Sequence, residues 1–156
     1  MQLSNIITPE RIVSSLDGSS KKRVLELTAE FIAEESQIDS EDVYQGLINR
    51  ERLGSTGIGH GVAIPHCRLT SLGDNETRGY LIQLNQGVEF DSIDGQNVEL
   101  LFVLLVPEST NQAHLNLLAQ LANCFSNEQF RHDLQMATDS GELFAIASRA
   151  FKTAEA

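Results

Sequence analysis

Apolar residues recur along the chain at two spacings, one typical of strands and one of helices. A β-rich run at residues 11–16 predicts a first strand. Two helices are predicted next, the first capped by Ser19 or Ser20 and the second by Asp39 or Ser40. Basic residues in the first turn of the first helix oppose its dipole, at a small cost that the apolar face outweighs. They are Lys21, Lys22 and Arg23.

The second half of the chain carries the clearest strand signal. Residues 98–106 are apolar on both faces of an extended segment, which predicts a central strand covered on both sides. Residues 78–84 predict another strand, and residues 62–64 and 88–90 predict short ones. Helices are predicted at residues 128–137 and 141–151, and one more is defined by Leu115, Leu118, Ala122 and Phe125.

This order of elements predicts an α/β fold. Several connections between strands are too short for parallel crossovers, so we expect a mixed sheet with helices on both sides. The chain shows no internal repeat, linker or low-complexity tract. At 156 residues we therefore expect a single domain spanning residues 1–156.

Composition and charge narrow the classes of partner. The formal net charge of -11 argues against binding to nucleic acid or to an anionic membrane and favours a protein partner with a basic face. The N-terminus lacks the pattern of a signal peptide, and no apolar run reaches the length that spans a bilayer. Cys67 and Cys124 lie far apart, as expected for free thiols in a reducing cytoplasm, where we place the protein.

The most unusual stretch is a glycine-rich loop followed by a short apolar run, a proline and His66. The second helix is predicted to end near Arg50, immediately before this loop. Glycines let the backbone approach a ligand closely. Ile64 is biased toward extended geometry because Pro65 follows it, so His66 is expected where a strand meets a turn.

These residues together suit a phosphoryl group carried on histidine. Neutral imidazole is a good nucleophile, and one ring nitrogen can attack while the other donates a hydrogen bond that fixes the tautomer. Arg50 offers a planar fork to a phosphate, and His114 falls early in a helix, where the dipole favours negative charge. The loop residues expected to bind phosphate are Ser55, Thr56, Gly57 and Gly59.

Other chemistries fit the sequence less well. The loop matches neither the nucleotide-binding nor the dinucleotide-binding glycine pattern, and it lacks the elbow of a serine nucleophile. We therefore expect no cofactor. We also expect no metal, because no two of the available donors share a recognised zinc spacing. Those donors are His60, His66, Cys67, His114 and Cys124.

Residues 50–66 resemble the active-site signature of the fructose/mannitol-type IIA proteins of the bacterial phosphotransferase system, and within that family the nitrogen-regulatory branch. Residues 90–96 and 101–107, and His114 with Leu115 after them, also match the family pattern. The resemblance covers residues 10–148. It implies a single α/β sandwich with a mixed sheet flanked by helices.

The resemblance also implies a function. His66 would accept a phosphoryl group from a phosphocarrier of the HPr/NPr type, with His114 and Arg50 flanking the site. The chain carries no IIB or membrane IIC segment, so it would regulate other proteins, such as sensor kinases and potassium transport systems, according to its phosphorylation. Two alternatives remain open: a IIA subunit that passes phosphate to a separate IIB of a sugar transporter, and a binding module without catalysis.

Overall fold

The computed structural model describes residues 2–72, 76–109 and 112–155, except for the side chains of residues 112–114. The described residues form one six-stranded sheet that is packed by helices on both faces. The strands are β1 (Ile12–Leu16), β2 (Gly57–Gly59), β3 (Val62–Ala63), β4 (His66–Leu69), β5 (Arg78–Val88) and β6 (Val98–Pro107). The helices are α1 (Lys21–Ser36), α2 (Ser40–Arg52), α3 (Gln112–Phe125), α4 (Glu128–Met136) and α5 (Ser140–Glu155).

The sheet is mixed, with β5 and β6 paired antiparallel at its centre. At one edge β1 runs parallel to β5. On the other side β3 and β4 pair in parallel with β6, one after the other along its length, and β2 runs antiparallel to β3. The predicted α/β fold with a mixed sheet is confirmed.

β6 explains how the two apolar layers form. Its side chains alternate between the two faces of the sheet, as the strand period requires. Leu100, Phe102 and Leu104 join the layer beneath α3, α4 and α5. Leu101 and Val103 join the layer beneath α1 and α2. The strand is therefore buried on both sides, which confirms the prediction made from its continuous apolar run.

The helix caps confirm one member of each predicted pair. The Ser20 side chain accepts a hydrogen bond from the backbone of Arg23 at the start of α1. Asp39 accepts one from the backbone of Glu41 at the start of α2. α2 continues to Arg52, past the predicted end near residue 50. The sequence did not predict this last turn because it is polar and carries no apolar repeat. The side chains of Arg50 and Glu51 in that turn contact the loop that follows.

Two other predicted elements differ in detail. β5 is one strand, whereas the sequence predicted separate strands at residues 78–84 and 88–90. Residues 85–87 are polar and their pairing with β6 is irregular, so the apolar pattern did not indicate one continuous strand. In α3, Leu115 and Ala122 are exposed, while Leu117 and Leu121 are buried. This helix is apolar around much of its circumference, so spacing alone did not identify the buried side. None of the described helices combines the length and apolar character needed to cross a bilayer.

Candidate active site

His66 is the first residue of β4 and is held in the sheet by its backbone. It pairs with Leu104 of β6, whose N–H donates to the Pro65 carbonyl at 2.9 Å. Residues 64 and 65 separate β3 from β4, yet both strands keep the same register against β6, so the chain runs on along β6 and the turn expected at His66 is absent. The His66 side chain is partly exposed. A rigid backbone thus carries an imidazole that solvent can reach.

Two contacts fix the orientation and the tautomer of the His66 ring. Nδ1 lies 2.8 Å from the carbonyl oxygen of Ile64. Because a carbonyl can only accept, Nδ1 carries the proton. Nε2 therefore presents its lone pair, and it accepts a hydrogen bond from Nε of Arg50 at 3.2 Å. The nitrogen that carries the lone pair thus lies on the side of the ring that faces the arginine.

The surroundings of His66 keep its ring neutral. Burial is the largest influence and lowers the pKa of His66, and the positive charge of Arg50 lowers it further. The hydrogen bond to Ile64 and the negative charge of Glu51 act in the opposite direction, but the pKa stays below its ordinary value. At neutral pH the imidazole is therefore unprotonated at Nε2.

Arg50 connects the histidine to the glycine-rich loop. It projects from the last turn of α2, and its Nη1 donates to the carbonyl of Gly54 at 2.9 Å while its Nε contacts His66. An open hollow beside these groups is lined by side chains of α2 and β4. Leu53 lies at its rim with 85% of its surface exposed. Cys67 also lines the hollow, and burial raises the pKa of its thiol to about 12.

The loop residues predicted to bind phosphate direct several of their donors inward. The Ser55 hydroxyl donates to the Phe90 carbonyl at 2.5 Å, and the Gly57 N–H donates to Ser55 Oγ at 3.0 Å. Thr56 donates both its N–H and its hydroxyl to the carboxylate of Glu51. These donors would have to change partners to reach a phosphate, so the phosphate-binding role of the loop stays a prediction.

The loop is packed closely enough to require glycine at two points. A Cβ on Gly57 would lie 2.2 Å from Ser92 Oγ, so only a hydrogen fits there. Gly59 has φ +96°, a left-handed conformation that disfavours side chains. The neighbouring His60 also has positive φ, and its N–H donates to Asp94 at 2.8 Å. The loop is thereby joined to the turn that precedes β6.

Two residues of this region were missed by sequence reasoning. Glu51 is 7% exposed, and its carboxylate accepts from Thr56 and pairs with Nζ of Lys21 at 2.6 Å. The sequence analysis ended the second helix near Arg50, did not single out Glu51, and noted Lys21 only for its unfavourable place in a first turn. That unfavourable position was the available signal, because a charge placed against a helix dipole needs a compensating partner.

The remaining candidates are placed as follows. His114 falls in the first turn of α3, but its side chain lies outside the described part of the chain, so its flanking role stays a prediction. His60 and His132 are exposed, and Cys124 is a buried free thiol. Across the described residues, no three His, Cys, Asp or Glu side chains converge as a metal site would need.

Residues 5–150 match the family model described as "Phosphoenolpyruvate-dependent sugar phosphotransferase system, EIIA 2". The chain belongs to this family. Among EIIA 2 relatives, the nitrogen regulatory protein of Pseudomonas aeruginosa is 42% identical over 147 residues, 94% of each chain. The resemblance noted from residues 50–66 is thus confirmed at the level of the family.

Solved EIIA structures share the fold. The crystal structure of the nitrogen regulatory protein IIA-Ntr from Neisseria meningitidis matches with a TM-score of 0.85 and 38% identity, covering 93% of this chain and 98% of that one. The mannitol enzyme IIA of Escherichia coli, solved in complex with phosphorylated IIB, matches at 0.73 with 19% identity over 92% and 97% of the two chains. This second likeness concerns the fold alone.

Proposed function

We propose that this EIIA 2 protein is a phosphohistidine carrier that accepts a phosphoryl group on Nε2 of His66. The observation that carries the proposal is the arrangement of the ring, with Nδ1 bound to the Ile64 carbonyl and Nε2 facing Arg50. A neutral imidazole fixed in this tautomer has its lone pair available for attack.

The transfer needs no proton to move. The Nε2 lone pair attacks the phosphorus, a bond forms between Nε2 and phosphorus, and the bond to the donor breaks. The donor imidazole, protonated at its other ring nitrogen, leaves as a neutral ring with that electron pair, while Nδ1 of His66 keeps its proton and the His66 ring takes the positive charge that the donor ring loses. Arg50 then exchanges its contact with Nε2 for one with a phosphoryl oxygen, where its charge stabilises the transferred group. In this scheme Arg50 and His114 support the phosphate, and the enzyme class is a phosphotransferase with a phosphohistidine intermediate.

The donor we propose is a phosphocarrier protein of the HPr/NPr type in the cytoplasm. The hollow beside His66 is open, and Leu53 exposes its side chain at the rim. A protein surface with an apolar centre would complement this region, and the net charge of -11 over the whole chain would steer a basic partner toward it.

We propose a regulatory output as the second part of the function. The P. aeruginosa relative is named a nitrogen regulatory protein, which favours regulation over sugar transport. A phosphate on His66 adds negative charge beside an exposed apolar side chain, and this changes the surface that a target protein meets. Sensor kinases and potassium transport systems are the target classes that we propose.

The alternative is transfer from His66 to a separate IIB protein of a fructose/mannitol-type transporter. The family model that matches the chain is described as part of a sugar phosphotransferase system, which supports this alternative. Incubation of the phosphorylated protein with a free IIB protein distinguishes the two. Rapid transfer of the phosphate to IIB supports the transporter role, and retention on His66 supports a regulator that ends the relay.

Phosphorylation by phosphoenolpyruvate, the first enzyme of the system and its phosphocarrier tests the proposal. We expect an acid-labile phosphate on the wild type and on His132→Ala, a control that removes an exposed histidine. We expect none on His66→Ala and slower transfer to Arg50→Gln and His114→Ala. Phosphate on His66→Ala would contradict the assigned residue, and none on the wild type would favour a binding module.

A further inference from the structure

Glu51 is a charged side chain in a buried position beside the candidate active site. Its side chain is only 2% exposed, and a buried carboxylate is costly unless it is paired and hydrogen-bonded. Here it has both kinds of partner: the ammonium of Lys21 at 2.6 Å, and the N–H and hydroxyl of Thr56. The carboxylate is thus held by groups from α1 and from the loop.

Lys21 extends this cluster to a third segment. Its Nζ donates to the Phe90 carbonyl at 3.2 Å and lies 5.1 Å from the centre of the Phe90 ring. The same carbonyl accepts the hydroxyl of Ser55. One carboxylate and one ammonium therefore join the start of α1, the glycine-rich loop and the segment after β5. No apolar pair of the same size could bind all three segments through directed bonds.

Glu51 and Arg50 are neighbours in the last turn of α2, and they hold the two ends of the same loop. Arg50 bonds the carbonyl of Gly54, and Glu51 bonds Thr56 two residues later. The arginine also contacts Nε2 of His66. A loop released from Glu51 would thus disturb the partner of Arg50 and, through it, the arginine beside the nucleophile.

We propose that Glu51, with Lys21 as its counter-ion, is a positioning residue that holds the loop at residues 54–57 and so places Arg50 against His66. The inference rests on the proposed phosphoryl transfer. Glu51 touches neither phosphate nor histidine in this scheme and acts through its neighbours. Its charge adds a second effect, since it opposes the burial of His66 in setting the pKa of that ring.

Glu51→Gln is the principal test, because it keeps the size and an acceptor for Thr56 while it removes the charge that binds Lys21. Lys21→Met removes the other charge, and Lys21→Arg restores one. Glu41→Gln is the matched control: it makes the same change on the same helix at an exposed position. Single-turnover phosphorylation gives the rate, its dependence on phosphocarrier concentration gives the KM, and NMR titration gives the pKa of His66.

We expect Glu51→Gln and Lys21→Met to slow the transfer roughly 10- to 100-fold with little change in KM, because the loop moves while the docking surface stays. Glu51→Gln should also lower the pKa of His66, and Lys21→Arg should recover most of the rate. Glu41→Gln should match the wild type in every measurement.

The inference is overturned if folded Glu51→Gln matches the wild type in both rate and His66 pKa. If that variant does not fold, Lys21→Met and Thr56→Val decide: wild-type rates in both would overturn it equally. Failure of the proposed function is distinguishable, since the wild type itself would then take no phosphate. In that case NMR of the loop amides and of His66 still shows whether Glu51 holds the loop.

Discussion

At the scale of single residues, the two ring nitrogens of His66 have different hydrogen-bond partners. The Ile64 carbonyl, fixed by the backbone, holds the proton on Nδ1. The side chain of Arg50 faces Nε2. The phosphoryl transfer that we propose would use this asymmetry, because Nδ1 would keep its partner while Arg50 would exchange its contact with Nε2 for one with the phosphate.

The pH dependence of phosphorylation follows from the lowered pKa of His66. We expect the transfer rate to be constant from pH 8 to below 6.5, the ordinary histidine value, and to fall only as the pH drops through the lower pKa of the folded protein. Rates measured with a phosphocarrier kept in excess, together with NMR titration of the ring, check this. A titration midpoint at or above 6.5 would contradict it.

The same shift links His66 to stability. The unfolded chain binds a proton at this residue more readily than the folded protein does, so stability should fall as the pH drops from the unfolded pKa through the folded one. Above the unfolded pKa the contribution is fully present. Urea unfolding of the wild type and His66→Gln across that window measures the difference, and parallel pH profiles for the two proteins would rule it out.

The sequence identified His66 and Arg50 as neighbours of the loop, and the structure brings the two side chains together. The sequence could not identify Glu51 and Lys21 as a pair, because 30 positions separate them and no local pattern relates the start of one helix to the end of a later one. Proximity in sequence revealed the first pair. The second pair exists only through the packing of α1 against the loop.

At the scale of elements, the loop and β2 depend on a close approach between two backbones. Gly57 lies against Ser92, whose Oγ is buried. The neighbouring turn is held by Asp94, which accepts the N–H groups of His60 and Gln96. These contacts fix the position of β2 although that strand is only three residues long.

Gly57→Ala tests this approach. The added methyl group would overlap Ser92, and we expect a loss of about 1–3 kcal/mol in the free energy of unfolding. Urea denaturation gives the value. Ser92→Gly removes the two nearest atoms, Oγ and Cβ, but leaves Cα at 3.1 Å, so the double variant Gly57→Ala/Ser92→Gly should recover part of the loss. If the single variant is as stable as the wild type, the approach is looser than described.

Element types were predictable because apolar spacing is a local property, and the two helix caps and β6 show this well. The order of the strands in the sheet and the lengths of the elements were less predictable. β3 and β4 pair with the same edge of β6, and Pro65 lies between them. The short strand predicted at residues 62–64 is confirmed as β3, but β2, which was expected to be loop, and β4 were not predicted because strands of three and four residues carry little periodic signal.

At the scale of the whole molecule, two apolar layers enclose the sheet, and the chain ends are joined on one side. Glu155 in α5 accepts the N–H and the hydroxyl of Ser4, both at 2.8 Å. This contact spans 151 positions and closes the layer beneath α3, α4 and α5. That the chain forms a single domain over residues 1–156 stays a prediction.

Glu155→Ala should lower the free energy of unfolding by about 1 kcal/mol, since it removes two hydrogen bonds to a partly exposed carboxylate. Ser4→Ala removes one of them and leaves the N–H. A double-mutant cycle measured by urea denaturation separates their coupling from other effects of each substitution. A coupling near zero would mean that the two termini are held independently.

The backbone of His66 is locked into β4, so a chemical change on its ring has little means of reshaping the main chain behind it. The effect of a phosphate on the ring would therefore stay local to His66. A target protein that binds a distant surface could not distinguish the phosphorylated from the free form, so it would have to bind over the imidazole itself. The phosphocarrier and a regulatory target would then compete for the same surface around His66, so the protein could bind only one of them at a time.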